Sequence, residues 1–423
     1  MSRGVPTVVA TAGLSLVAAA CGSSSGGSAN ATPAGASVSA NQTVVLATQG
    51  LGSEGDATKA AIAGFEKAHP NIKVDILTLS PTADNARQQL TQRFVAGSST
   101  PDVITADVIW PPAFAKAGWL APLDSFNPDD SKFFAGQVAT GKYNGHTYAV
   151  PWFINAEGVY YRTDLVPTPP TTPGQLVADA KSAVAKGGSI KYGLAFEGDK
   201  YEGVVTNFVN FLGAFGGKLD PSKLNTPQNQ NALQFMHDLI YKDGVAPQAV
   251  TGWQESNVQD AWLSGQAAFA VNWPYLFQLS EKAGSSVAGK TGWIPFPSSA
   301  GQPAAALGGD DLAINAKSQH KAAAWALIQY LTSDAVQIQR AISAGDPPAV
   351  QSAYNNSLFS QAAYYKQEEA VFKYATPRPV VANYPQISDQ LQTMLSAVLT
   401  NLSTPAKALQ QTASQLGSGQ AGY

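Results

Sequence analysis

Five of the eight tryptophans, Trp110, Trp152, Trp253, Trp273 and Trp293, stand near expected strand ends or chain crossings, off the helical spacing of a core stripe. Several have a carboxylate, amide or guanidinium within a few residues. Indole and phenol rings pack against the C–H face of a sugar, while Asp, Glu, Asn and Arg bond its hydroxyls. Core packing explains any one tryptophan equally well. As a set beside polar groups, they suggest a carbohydrate cleft.

Catalytic patterns are harder to find. His69, His146, His237 and His320 are scattered, and none has a histidine or carboxylate at metal-ligand spacing. His69 stops a helix and His320 sits in an expected loop. There is no nucleophile-elbow pattern, no P-loop lysine and no dinucleotide fingerprint. Two carboxylates facing each other across a glycosidic bond would make a glycoside hydrolase. Sequence cannot pair them, so that enzyme is the rival to a chain that binds without transforming.

The chain has 423 residues, 44% hydrophobic and 13% charged, with a net charge of −3. That length suggests two lobes rather than one core. The absence of any basic stripe argues against nucleic acid. A single cysteine, Cys21, excludes an intramolecular disulfide and a cysteine zinc site. It follows a basic start and a short apolar stretch, Val5 to Ala20, interrupted by Pro6. This is the pattern of a secretory signal over residues 1–21 and is short for a membrane span. Residues 22–42 are small and polar, with almost nothing to bury, and read as a flexible tether.

The elements that must position the site begin at Val44–Ala47, a strand. A turn over Gln49–Gly55 and a helix near Ala57–Ala68 follow, and Pro70 ends the helix. Ile72, Val74 and Ile76 alternate as a second strand. This βαβ unit predicts an α/β fold with mostly parallel sheets flanked by helices. A helix near Ala83–Val95 leads to a strand over Asp102–Asp107, and another helix lies near Pro112–Ala117. Beyond Pro151 a second α/β region has helices near Thr172–Lys186, Val204–Leu212, Gln228–Tyr241 and Val258–Gly265, with a buried strand at Ala267–Val271. Leu312–Ile314 is expected as a short strand before a helix at Lys321–Thr332, and Ile387–Leu402 as a terminal helix. Ligands in such folds settle at carboxyl ends of strands and between domains.

Several segments carry a resemblance. Thr100 to Trp110 with Phe114 to Leu123, Pro151 to Arg162, Tyr201 to Val205, Asn272 to Tyr275, Leu307 to Ile314 with Ala322 to Trp325, and Pro377 to Ser388 resemble landmarks of the family-1 extracellular solute-binding proteins of bacterial ABC importers. They fall in the family's order along nearly the whole mature chain. The trehalose/maltose-binding branch, which includes actinobacterial trehalose receptors, is the nearest fit. Ala19-Ala20-Cys21 resembles a lipobox, with Ala18 where Leu or Val is usual.

The resemblance implies a two-lobed periplasmic-binding-protein fold of type II. Residues 43–150 with 308–360 would form the first lobe, and 151–307 with 361–423 the second. It also implies a monomer lipidated at Cys21 on the extracytoplasmic face, no cofactor or metal, and an ABC permease as partner. Glu54 and Arg87 would reach sugar hydroxyls from the first lobe, although Glu54 could equally decorate a loop and Arg87 a solvated helix. Asp107 would bridge two hydroxyls, a charge-assisted contact. Asn155 would sit at the crossing with Phe153 near it, and Glu255 would grip from the second lobe. Trp273 and Tyr275 would form a stacking platform, Gly308 and Gly309 would let backbone N–H groups approach the ligand, and Arg378 would fork onto ring hydroxyls. Two departures bear on specificity: Asn155 stands where the branch often has Asp, and Asp310 where Trp is common.

Overall fold

The computed structural model describes residues 40–50 and 52–417. Cys21, the signal segment and the tether up to residue 39 lie outside the described residues. No helix among the described residues is long and apolar enough to cross a membrane.

The strands are β1 (Gln42–Thr48), β2 (Ile72–Thr78), β3 (Val103–Asp107), a small hairpin of β4 (Lys142–Tyr143) and β5 (His146–Thr147), β6 (Ala149–Ala156), β7 (Gly158–Arg162), β8 (Tyr192–Ala195), β9 (Ala267–Asn272), β10 (Thr291–Ile294), β11 (Ala306–Ile314) and β12 (Thr376–Pro377). One sheet has the order β12-β11-β3-β1-β2, with β6 also paired to β11; the other has the order β10-β7-β9-β8. Each is flanked by helices, which makes the two-lobed α/β fold.

Both sheets are mixed. β1 runs parallel to β2 and β3, as βαβ units must. β11 runs antiparallel to β3 and β6, and β7 antiparallel to β9 and β10. These reversals occur where the chain passes between lobes, because a strand arriving from the other lobe need not follow a crossover helix. Only Glu157 separates β6 from β7, and this is the first crossing. Ala306 opens the second: its N–H donates to Asn210 Oδ1 at 2.7 Å, and its carbonyl accepts the Glu157 N–H at 3.0 Å. β12 and the chain into helix Tyr384–Leu399 make the third.

Local signals explain most elements. In helix Ala83–Val95, Ala86, Leu90 and Phe94 recur every fourth residue and form its buried face. Helices Pro173–Lys186 and Pro227–Tyr241 each begin with proline after a threonine cap, whose hydroxyl accepts the Gln175 or Asn229 N–H. All of β9 is buried, consistent with its nearly unbroken apolar run. Ile387, Leu391, Leu395 and Leu399 carry the late helix Tyr384–Leu399 back onto the second sheet's core. A further cluster, including Ile154, Tyr160, Trp262, Leu307 and Phe372, joins the lobes beside the crossings.

Three of the boundaries that differ from expectation bear on the site or its approach. Helix Gly52–Ala68 starts inside the segment read as a turn, so Glu54 lies in its first helical turn, where a carboxylate is favoured by the helix dipole. β11 begins six residues before Leu312 and takes Gly308, Gly309 and Asp310 into the sheet. The two glycines hid this strand, being poor strand formers by propensity. Gln42, read as the end of the tether, is already in β1.

Candidate functional site

The first-lobe wall is built at strand ends. Asp107 closes β3, and Asp310 on β11 lies directly opposite it, so both side chains leave the sheet on one face. Burial and the neighbouring Asp107 push the Asp310 carboxyl up to about 7, against the pull of Arg340. Glu54 sits beside Asp346; burial, then that like charge, hold its carboxyl well above the usual range. Arg340 is the local cation. It pairs with Asp346 at 2.7 Å, donates to Thr58 Oγ1 at 2.9 Å, and lies 4.1 Å from the Trp152 ring centroid.

The second-lobe wall is aromatic in front and acidic behind. Trp273 directly follows β9; its N–H donates to Asn272 Oδ1 at 2.7 Å, and its carbonyl accepts the Tyr160 hydroxyl at 2.7 Å. The Trp273 indole is half-buried and lies against Gly308, where a β-carbon would come within 2.7 Å of the ring. Gly308 is opposite Asn155 on β6, and Asn155 Oδ1 has no partner. Tyr275 is half-buried and lies near the Glu255 carboxyl, which burial raises.

Behind them, the Tyr201 hydroxyl donates to the Glu197 carboxylate and accepts the Glu255 N–H. Burial raises Glu197, and the nearby Glu157 and Glu255 add to the effect. Glu157 itself is gripped by the side-chain amides of Asn207 and Asn210. The walls meet at Gly345, in the left-handed conformation at φ 85°; a β-carbon there would lie 2.9 Å from Tyr275 Cα.

Arg378 spans the lobes. Its guanidinium donates to Asp107 Oδ1 at 2.7 Å and to Glu202 Oε1 at 2.8 Å. Glu202 opens helix Glu202–Ala214 and also accepts the hydroxyls of Tyr384 and Ser388. Its N–H donates to Asp84 Oδ2 at 3.1 Å, so helix Ala83–Val95 joins the same contact. The arrangement can hold a polyhydroxylated molecule between an aromatic face and carboxyl, amide and guanidinium groups.

Of the residues picked from sequence, the structure gathers Glu54, Asp107, Asn155, Glu255, Trp273, Tyr275, Gly308 and Asp310 about the boundary between lobes. Others fall elsewhere or do something different. Arg378 is 2% exposed, with two carboxylates occupying the fork that was read as reaching for hydroxyls; only its Nε is unpartnered. Phe153 is buried core. Gly309, at φ 108°, is required by backbone contact, since a β-carbon would sit 2.2 Å from the Phe153 carbonyl oxygen. Arg87 is half-buried beside Asp84, whose charge it offsets.

Trp110, Trp152 and Trp293 are core residues at 2%, 1% and 6% exposure, and Trp253 packs edge-on to Tyr192. Arg340, Asp346, Glu197 and Glu202 were not picked out. The turn Gly345-Asp346-Pro347-Pro348 and the Tyr201-Glu202-Gly203 run were the available signals.

Residues 50–338 match the family described as bacterial extracellular solute-binding protein. A probable ABC transporter-binding protein of Deinococcus radiodurans is 33% identical over 379 residues, which are 85% of this chain and 89% of that protein. Among solved structures, maltose-bound MalE3 of T. maritima is 34% identical with a TM-score of 0.83, covering 89% of this chain and 99% of that one. The GacH receptor of Streptomyces glaucescens, solved unliganded and with acarbose, is 26% identical with a TM-score of 0.80, covering 90% and 99%. The chain belongs to the family of bacterial extracellular solute-binding proteins.

Proposed function

We propose that this chain is the sugar receptor of an ABC importer, binding a disaccharide of the trehalose or maltose type between its lobes and passing it to a membrane permease. The observation that carries this reading is the half-buried Trp273–Tyr275 pair at a strand end, set against the side-chain-free surface of Gly308 and beside the unpartnered Asn155 Oδ1. Two partly exposed aromatic rings offer a platform for a sugar's C–H face, and the flanking amide and carboxyl groups suit its hydroxyls. The maltose and acarbose complexes of the relatives support the same ligand class.

Closure is a hinge motion about the three crossings, with the body built on the β12-β11-β3-β1-β2 sheet and β6 moving against the body built on the β10-β7-β9-β8 sheet. The folded body acts as a monomer at the extracytoplasmic face. Its lipid anchor is Cys21, which keeps the loaded receptor at high local concentration beside its transporter. Release of a Cys21→Ala variant into the medium, with loss of lipid labelling, is the expected outcome for the anchor.

Calorimetry with maltose, trehalose, other oligosaccharides and sugar alcohols tests the ligand class, repeated on Trp273→Ala and Asp107→Ala. Binding that both variants weaken is expected. Binding of another sugar through these residues, with maltose and trehalose silent, overturns the branch and keeps the receptor. Hydrolysis of any disaccharide in the panel overturns the receptor reading in favour of a glycoside hydrolase.

A further inference from the structure

We infer that Gly345 sets the size of sugar this cleft takes. Having no side chain, it lets the second-lobe helix that carries Tyr275 seat directly on the backbone of the first lobe. That contact fixes how near the aromatic platform comes to the opposite wall. The inference rests on the sugar-receptor reading and concerns only which sugars fit.

Two helices anchored in different lobes meet here. Helix Asp334–Ala344, which Gly345 ends, is held to the first lobe: Arg340 donates to Thr58 Oγ1 at 2.9 Å, and Gln337 to the Trp152 carbonyl at 2.6 Å. Helix Tyr275–Ser280 is held to the second: Ser280 Oγ accepts the Trp262 indole N–H at 2.8 Å, and Leu276 shares a buried cluster with Trp262 and Ala270. Between them, the Gln278 side-chain amide donates to the Ile342 carbonyl, one of those that a helix end leaves without an intrahelical partner. Tyr275 lies three residues before Gln278 on the same face, and its backbone rests against Gly345.

The contact is tight. A β-carbon on Gly345 would lie 2.9 Å from Tyr275 Cα, and 3.3 Å from both the Tyr275 carbonyl oxygen and Gln278 Cβ. The nearest of these is main chain, which cannot rotate aside as the tip of a side chain can. The left-handed turn alone does not demand such closeness. Gly187 ends helix Pro173–Lys186 at φ 70°, and a β-carbon there would meet nothing within 4 Å. Asparagine also tolerates a left-handed helix end, so the turn leaves a choice that the Tyr275 contact removes.

Gly308 repeats the arrangement under the other half of the platform, where a β-carbon would come within 2.7 Å of the Trp273 ring. Both platform residues are therefore seated on first-sheet positions that carry no side chain. A side chain at 345 would lift helix Tyr275–Ser280 away from the first lobe and widen the space before Glu54, Asp107 and Asp310. A disaccharide would then lose contact with one wall, while a trisaccharide has a further ring to span the gap.

The test is calorimetry on the full chain with maltose, trehalose and maltotriose, comparing wild type with Gly345→Asn, Gly345→Ala and Gln278→Ala. Gly345→Asn keeps the turn and adds the β-carbon. Disaccharide affinity is expected to fall by about tenfold, and maltotriose affinity by no more than about threefold. Gly345→Ala adds the same atom and should move the ratio the same way. Gln278→Ala adds no bulk but releases the second contact, and should shift the ratio in that direction by about twofold.

Melting temperatures are measured alongside. A loss shared equally by the three sugars would show a merely structural role and overturn the inference, as would an unchanged ratio in folded Gly345→Asn. If neither residue-345 variant folds, an unchanged ratio in Gln278→Ala overturns it instead. Failure of the wild type to bind any sugar overturns the receptor reading, whereas wild-type binding with a fixed ratio overturns only the role of Gly345.

Discussion

Arg340 and Arg378 are 5% and 2% exposed, and each is paired with carboxylate. Arg340 bonds Thr58 on helix Gly52–Ala68 and Asp346 just beyond its own helix, Asp334–Ala344. Every one of those anchors moves with the first lobe. Arg378 bonds Asp107 at the end of β3 and Glu202 at the start of a helix on the second core. If the lobes part, the first set of contacts travels as a unit and the second must break. Under the proposed hinge closure the two centres would act on different equilibria, Arg340 on folding and Arg378 on the balance between lobe arrangements.

The strongest attempt to break this distinction is Arg340→Met. It leaves Asp346, 1% exposed, without its cation, and should cost about 3–5 kcal/mol in denaturant unfolding. A loss under 1 kcal/mol would mean that Arg340 is not a folding anchor.

Trp273→Ala sharpens the other side, because the indole meets Gly308 at the boundary rather than filling a core. Ligand affinity should fall by about 1–3 kcal/mol in calorimetry, while the unfolding midpoint moves little. A large stability loss with unchanged affinity would return Trp273 to the core.

Asp310 feels both centres, since Asp107 raises its carboxyl and Arg340 lowers it. At a pH below the ordinary aspartate value of 3.8 it is protonated whether folded or unfolded. Between there and about 7 the unfolded chain releases a proton that the folded chain keeps, so this group makes stability fall as pH rises, levelling off above about 7. Asp310→Asn should remove about 3–4 kcal/mol of that decline, read as the gain over wild type at pH 8 relative to pH 4. An unchanged pH profile would show that the two centres do not meet at Asp310.

The smallest effect belongs to Glu202→Gln. It retains acceptor and donor groups for Tyr384 and Ser388 but weakens the charge that Arg378 holds across the lobes. Stability should change by only about 1 kcal/mol, with the radius of gyration in small-angle scattering shifting toward separated lobes. Unaltered scattering would erase the difference between the two arginines.

Much of this fold was legible in the chain. The run from Val44 to Asp107 alternates helical and strand periods so clearly that helix Ala83–Val95 was bounded without error. β11 was cut short because Gly308 and Gly309 look like a loop until β3 and β6 are found on either side of them. Three of the five chosen tryptophans proved to be core, because proximity to a strand end does not say which face a side chain takes. Trp273 was separable only through its contact with Gly308, thirty-five residues along the chain.

By itself the sequence determined the α/β architecture and the strand ends where Asp107 and Trp273 emerge, while the crossing expected at Asn155 falls two residues later, at Glu157. Hydrophobic period, caps and prolines act over a few residues, so they can be read locally. Only the tertiary structure decided what each charge does. Arg378 meets Asp107 at a separation of 271 residues and Glu202 at 176, and Glu197 is left with one oxygen unanswered. Electrostatic partners are set by burial and distance in space, and neither is written in the spacing of residues along a chain.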